Sequence, residues 1–288
     1  MKLRNRTYPI IIDRAVKSLG WIFCIAALIP VFILLWKAFE NGWKDFDSDL
    51  IMRPSPAGND TLLAQIGETP GDRGILNGIY GTMFILFIGV IPAVLVGLLT
   101  GIYISDNRSS RFASFIRQIN NLLHGAPSII VGLTVYWWMV RPTNHFSALA
   151  GGISLAIILL PAIVNATIHT LEPLPKTLRE SGLALGISYF NVVCQIVIPA
   201  TSRRLLAAIL STVTRTLGTT SLFIVTAAGL DRMDWNIAEP ANTVTVLIWN
   251  LFNNPSYVRL MWSAILCCLL IIILLHWITY LIYPLYDE

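Results

Sequence analysis

The stretch Glu180-Ser-Gly-Leu-Ala-Leu-Gly186-Ile-Ser-Tyr-Phe-Asn-Val-Val-Cys-Gln-Ile-Val-Ile-Pro199 lies between two long apolar runs, at about 147–171 and 204–228. It is polar where its neighbours are not, which makes it a connection outside the membrane between two helices that cross it. Pro173 and Pro175 stop the preceding helix, because proline removes a backbone donor and clashes with the turn before it, and Pro175 suits the first turn of a new helix. Leu178, Leu183 and Leu185 give that short helix an apolar surface in need of a groove. Gly186 suits the left-handed conformation that ends a helix, and Pro199 marks the turn into the next span.

Outward from this segment the chain reads as a membrane protein. Hydrophobic residues make up 55% and charged ones 12%, about half the charged share of a soluble domain. Apolar runs with few charges recur at about 19–36, 79–104, 119–140, 147–171, 204–228 and 258–283. Each is long enough for a helix to cross the hydrocarbon core, so the sequence predicts six transmembrane helices in an all-α bundle. The apolar stretch 241–252 is too short to span and is expected at the interface or as a plug between helices.

Basic residues resist translocation, so Arg4, Arg6, Arg14, Arg108, Arg111, Arg117, Arg179, Arg203 and Arg204 place both termini and the 172–203 connection in the cytoplasm. Asp45, Asp47, Asp49, Asp60 and Asp231 fall on the other side. The expected division is a cytoplasmic N-terminal segment 1–18 and a transmembrane domain 19–288. The net charge of +4 is then a signature of orientation and gives no reason to expect a nucleic acid partner. Membrane lipid is the expected surroundings. The long outer connection from Lys37 to Asn77, broken by Pro54, Pro56 and Pro70, is a candidate docking surface for an extracytoplasmic partner.

No Gly-x4-Gly-Lys-Ser/Thr string occurs to cradle phosphates, so the chain does not bind ATP in that way. The apolar runs contain no Asp or Glu, which argues against a membrane acid protease, a carboxylate-bound metal or an acidic proton relay. His124, His145, His169 and His276 are scattered, and Cys24, Cys194, Cys267 and Cys268 lack metal-ligand spacing. No catalytic residue, metal site or cofactor is expected.

Arg215 is the singular residue of the fifth apolar run. An arginine near mid-span adds roughly 2.5–3.5 kcal/mol to insertion, so it should face the bundle interior or a wet cavity. Ser211, Arg215 and Thr219 are spaced to form a polar stripe on one helix face. A guanidinium flanked by hydroxyls suits an oxyanion. The alternative is that Arg215 satisfies neighbouring carbonyls while Ser and Thr let helices approach closely.

Gly74-Ile-Leu-Asn-Gly-Ile-Tyr-Gly-Thr82, His124-Gly-Ala-Pro-Ser-Ile-Ile-Val-Gly132, Leu160-Pro161, the 180–199 stretch, Arg215-Thr-Leu-Gly218 and Thr226-Ala-Ala-Gly229 follow one another in order. Together they resemble the A-type permease of the bacterial phosphate ABC importer, from about residue 74 to the C-terminus. The resemblance implies the type I permease fold in the inner membrane. It also implies a second homologous permease subunit, two ATPase subunits and an extracytoplasmic solute-binding protein. It casts the segment with Glu180, Gly186 and Pro199 as the loop that docks on an ATPase, to which Leu183 adds an apolar contact, and Arg215, Ser211, Thr219 and Asn165 are the candidate substrate-pathway residues. Two positions depart from the family: Thr219 stands where a Glu usually follows Arg-x-x-Gly, and Asn165 where an Arg is often found after Leu-Pro. The expected function is therefore import of inorganic phosphate, with another oxyanion or small solute as the alternative. A stand-alone channel or scaffold is the alternative of another class.

Overall fold

The computed structural model describes residues 7–55, 74–229, 235–253 and 255–283. Its helices are α1 (Thr7–Gly42), α2 (Ser48–Met52), α3 (Leu76–Asp106), α4 (Arg111–His124), α5 (Ser128–Thr143), α6 (Ala148–Leu171), α7 (Lys176–Ala184), α8 (Tyr189–Thr216), α9 (Ser221–Thr226), α10 (Val244–Phe252) and α11 (Val258–Ile282). Five of these are long and apolar enough to cross a bilayer; α4 and α5 make a sixth span if counted as one bent unit.

The architectural centre is the α3–α6 pair. On α3, Gly89, Ala93, Gly97 and Gly101 recur at every fourth residue and are all buried. Small residues at this spacing let two backbones approach closely, which is how helices associate where lipid offers no hydrophobic drive. A methyl group added at Gly101 would stand 2.5 Å from Thr167 Cβ, and one at Gly89 would stand 2.7 Å from the Gly152 carbonyl. Around this seam Ile85, Leu155, Leu159, Ile163 and Leu222 form the main core.

Proline and glycine set the breaks. Gly125-Ala126-Pro127 ends α4 and turns the chain by 98° into α5, so the expected third span 119–140 is not one straight helix. In α8 the turn at Val193–Val197 is widened, with Ile198 N–H donating to the Val193 carbonyl. Pro199 follows immediately and has no N–H to continue the normal ladder. Pro199 thus sits inside a continuous helix and does not mark the turn expected of it. Likewise α8 begins at Tyr189, so residues 189–203 of the expected 172–203 connection are already helical.

At the other end, α8 stops at Thr216, well short of the expected 228. The chain then makes a turn, with Thr219 N–H on the Thr216 carbonyl at 3.0 Å, and restarts as the short α9. Helix α10 packs between α3 and α11 through Leu247 and Leu251, which makes it the expected plug. Helix α1 begins at Thr7, so part of the expected segment 1–18 is helical; the side chains from residue 16 to 37 are exposed, and at its last turn Gly42 meets Trp262 and accepts a hydrogen bond from Ser263 Oγ at 3.0 Å. The central part of the Lys37–Asn77 connection, including Asp60, and Asp231 lie outside the described residues.

Candidate coupling surface and solute pathway

Helix α7 is the centre of the first site. Pro175, extended at φ −64° and ψ 135°, opens it, and its other end is closed by a glycine-dependent cap. Gly186 has φ +76°, with its N–H on the Leu183 carbonyl at 3.0 Å and Ile187 N–H on the Gly182 carbonyl at 3.3 Å. These two bonds are the paired closure that satisfies the last carbonyls of a helix when a left-handed residue follows it. The cap turns the chain sharply into α8, which begins with Ser188 Oγ accepting from Asn191 N–H at 3.4 Å.

Helix α7 is packed on the body of the protein at Gly182 and exposed at most of its other described residues. Gly182 is buried, and a Cβ there would meet Val192 and Ile196 of α8 at 3.0 and 3.1 Å. Leu183, Leu185 and Phe190 are exposed at 46%, 80% and 72%, beside the exposed Glu180. Exposed apolar side chains on a short helix outside the spans make it a candidate docking surface. Leu183, Gly186 and Glu180 are thus brought together, while Pro199 lies farther along α8.

Arg179, which the sequence reads only as a marker of orientation, anchors α7 together with Asp106 and Tyr189. Arg179 Nη1 pairs with Asp106 Oδ1 at the end of α3, and the Tyr189 hydroxyl donates to Asp106 Oδ2. The side chains of Arg179 and Asp106 are 19% and 10% exposed, and Arg179 Nε and Nη2 are buried with no partner among the described residues. Burial pulls the Arg179 guanidinium below its ordinary value. These groups, with Arg108, Glu180 and Leu183, line a cavity of about 320 Å³ between α7 and the helix ends. Nearby, Arg117 of α4 pairs with Glu172 at 2.9 Å, and Arg108 Nη2 donates to the Glu172 carbonyl at 2.8 Å.

The candidate pathway residues come together only in part. Arg215 is in the last turn of α8, which corrects the mid-span position expected for it. Its side chain is exposed and has no hydrogen-bond or ion-pair partner among the described residues. A cation at a helix C-terminus gains about 0.3–1 kcal/mol from the aligned peptide dipoles. Ser211, exposed one turn earlier, shares the face of Arg215, but Thr219 lies past the helix end, so the expected three-residue stripe stops at two. The Thr219 carbonyl instead accepts from Thr245 Oγ1 at 3.4 Å. Asn165, half-buried on α6, accepts at Oδ1 from Asn120 Nδ2 of α4 at 2.8 Å. A few residues beyond Arg215, Ser221 Oγ and Ser128 Oγ are 2.9 Å apart, so α9 and α5 start side by side.

A second, larger cavity of about 900 Å³ lies between α1 and α10–α11, lined by Val31, Leu34, Ile248, Trp249 and Trp262 along with Thr220 and Ser221. It is too apolar to hold an anion. No group of three His, Cys, Asp or Glu residues able to hold a metal exists among the described residues.

Among proteins of known function, the phosphate transport system permease protein PstA of Haemophilus influenzae is 33% identical over 263 residues, 90% of each chain. The Pasteurella multocida PstA is 26% identical over 264 residues, covering 90% of this chain and 91% of its own. The probable PstA of Methanocaldococcus jannaschii is 26% identical over 272 residues, covering 93% and 92%. Among solved structures, a chain of the MetNI methionine ABC transporter in an inward-facing form superimposes with a TM-score of 0.59 at 14% identity, covering 73% of this chain and 96% of that one. That likeness shows the fold, the all-helical type I ABC-importer permease. Residues 93–287 match the family described as binding-protein-dependent transport system inner membrane component, and the chain belongs to that family of multi-pass membrane proteins.

Proposed function

We propose that this chain is a permease subunit of an ATP-driven importer of inorganic phosphate in the inner membrane. The observation that carries the reading is the similarity to phosphate permeases across nine-tenths of both chains. In the working complex it pairs with a second permease of similar fold, with two ATPase subunits on the cytoplasmic side and a solute-binding protein outside. Both termini and α7 lie on the ATPase side, as the Lys and Arg distribution supports.

The mechanism follows from the two sites. The exposed surface of α7, with Leu183, Leu185, Glu180 and the cap at Gly186, seats on an ATPase subunit. ATP hydrolysis occurs on that subunit and its closure displaces α7. The displacement reaches α8 directly through the turn at Ile187 and Ser188, and α8 carries Ser211 and Arg215 at its far end. Arg215 supplies a permanent cation with a planar donor fork to the passing oxyanion, and it is free to do so because no acid occupies it among the described residues.

Another oxyanion as cargo is favoured by one observation: Thr219 and Asn165 replace an acid and a cation of the family's pattern. The test is anion-stimulated ATPase activity of the assembled complex with its binding protein, comparing phosphate with sulfate and molybdate. Stimulation by phosphate at the lowest concentration supports the reading; stimulation by another anion alone replaces the cargo.

A further inference from the structure

We infer that Asp106, Arg179 and Tyr189 form the joint that carries motion of the docking helix α7 into the α3–α6 pair, making all three positioning residues for ATP-driven transport. The inference rests on the permease reading and adds to the direct path through α8.

Helix α7 has 9 residues, too few to be stable by its own hydrogen bonds, so its position is set by what it is tied to. Covalently it hangs between α6 and α8. The only charged side-chain tie from it to a third helix among the described residues is Arg179 to Asp106. Asp106 closes α3, where the dipole of the helix disfavours a carboxylate. That local disadvantage is offset by partners from two other segments: Arg179 on one oxygen and Tyr189 on the other. Ser105 Oγ also lies 3.3 Å from Oδ1. One carboxylate therefore gathers the end of α3, the middle of α7 and the first residue of α8.

The geometry is that of a joint and not of a rigid weld. Arg179 engages through Nη1 alone, leaving Nε and Nη2 buried without partners, whereas a two-pronged guanidinium–carboxylate pair would fix the angle as well. The cavity of about 320 Å³ beside it gives α7 room to tilt. Beyond the joint, motion has a stiff receiver. Helix α3 packs closely on α6 at Gly89, Gly97 and Gly101, where an added Cβ would stand 2.7, 2.8 and 2.5 Å from Gly152, Ile163 and Thr167. A pull on Asp106 thus moves α3 and α6 together, and α6 bears the candidate pathway residue Asn165.

The test uses the complete complex reconstituted in lipid vesicles, measuring ATPase subunits bound and phosphate transported per ATP hydrolysed. Asp106→Asn and Tyr189→Phe are expected to bind the ATPase normally but lower the transport ratio by about tenfold, an ordinary coupling loss. Exchanging the charges, Asp106→Arg with Arg179→Asp, is expected to recover most of it. A wild-type ratio in assembled Asp106→Asn would overturn the joint. If Asp106→Asn does not assemble, Tyr189→Phe decides: an assembled Tyr189→Phe complex with a wild-type ratio overturns the proposal, and a lowered ratio supports it. Failure of the wild-type complex to move phosphate would count against the permease reading instead, so the two failures are distinguishable.

Discussion

Replacing Gly186 with valine tests whether the shape of the α7 cap matters to the protein's partners. Gly186 holds φ +76° with nothing within 4 Å of where its Cβ would be, so the cost is backbone conformation and not crowding. An L-residue forced into the left-handed region loses about 1–2 kcal/mol, and a β-branched one is disfavoured further. If the cap relaxes to escape this, the bonds from Gly186 to Leu183 and from Ile187 to Gly182 are lost, and the angle between α7 and α8 changes. A penalty of that size shifts the population of the docking shape by roughly 5–30-fold. The assay is titration of purified ATPase subunits onto the detergent-solubilised permease pair, alongside membrane abundance. Gly186→Val is expected to keep normal abundance while its affinity for the ATPase falls by roughly that factor, and Gly186→Asn, which tolerates the conformation, should stay near wild type. A Gly186→Val protein that binds as tightly as wild type would refute the role of the cap.

Two further outcomes follow from the same geometry. Gly101→Val should lower the melting temperature of the purified permease, since its Cβ would stand 2.5 Å from Thr167 Cβ and overpacking costs about 1–3 kcal/mol; an unchanged melting temperature would mean the seam is looser than described. Arg215→Ala should assemble normally and lose phosphate transport, with Arg215→Lys intermediate because it keeps the charge without the fork; normal transport by Arg215→Ala would end its pathway role.

The sequence made the class of fold plain because membrane helices advertise themselves by length and lack of charge. Five of the six apolar runs correspond to long helices, and the third, 119–140, holds its break in plain view at Gly125-Ala126-Pro127. The fifth run was misplaced for a physical reason. A polar helix start such as Tyr189–Asn191 and a mid-helix Arg203-Arg204 pair look like connection, while the apolar 221–228 looks like span. The polar Thr-rich turn from Leu217 to Thr220 is where the helix stops, and that shift moves Arg215 from mid-span to a helix end and detaches Thr219 from its stripe. Gly89, Ala93, Gly97 and Gly101, small residues at every fourth position of α3, are the signal in the string that could have found the α6 seam. Nothing in the string could pair Asp106 with Arg179 and Tyr189, because residues so far apart in sequence meet only through the packing of three helices.

We propose this chain as the permease through which ATP hydrolysed elsewhere drives phosphate across the membrane. Proteoliposomes containing the full complex, with phosphate-loaded binding protein on the side opposite the ATPases, measure it most directly. ATP-dependent accumulation of phosphate is expected, and it should vanish when this subunit is omitted or when ATP is replaced by a non-hydrolysable analogue. Phosphate movement at the same rate without ATP, or with this subunit alone, would contradict it and identify a channel.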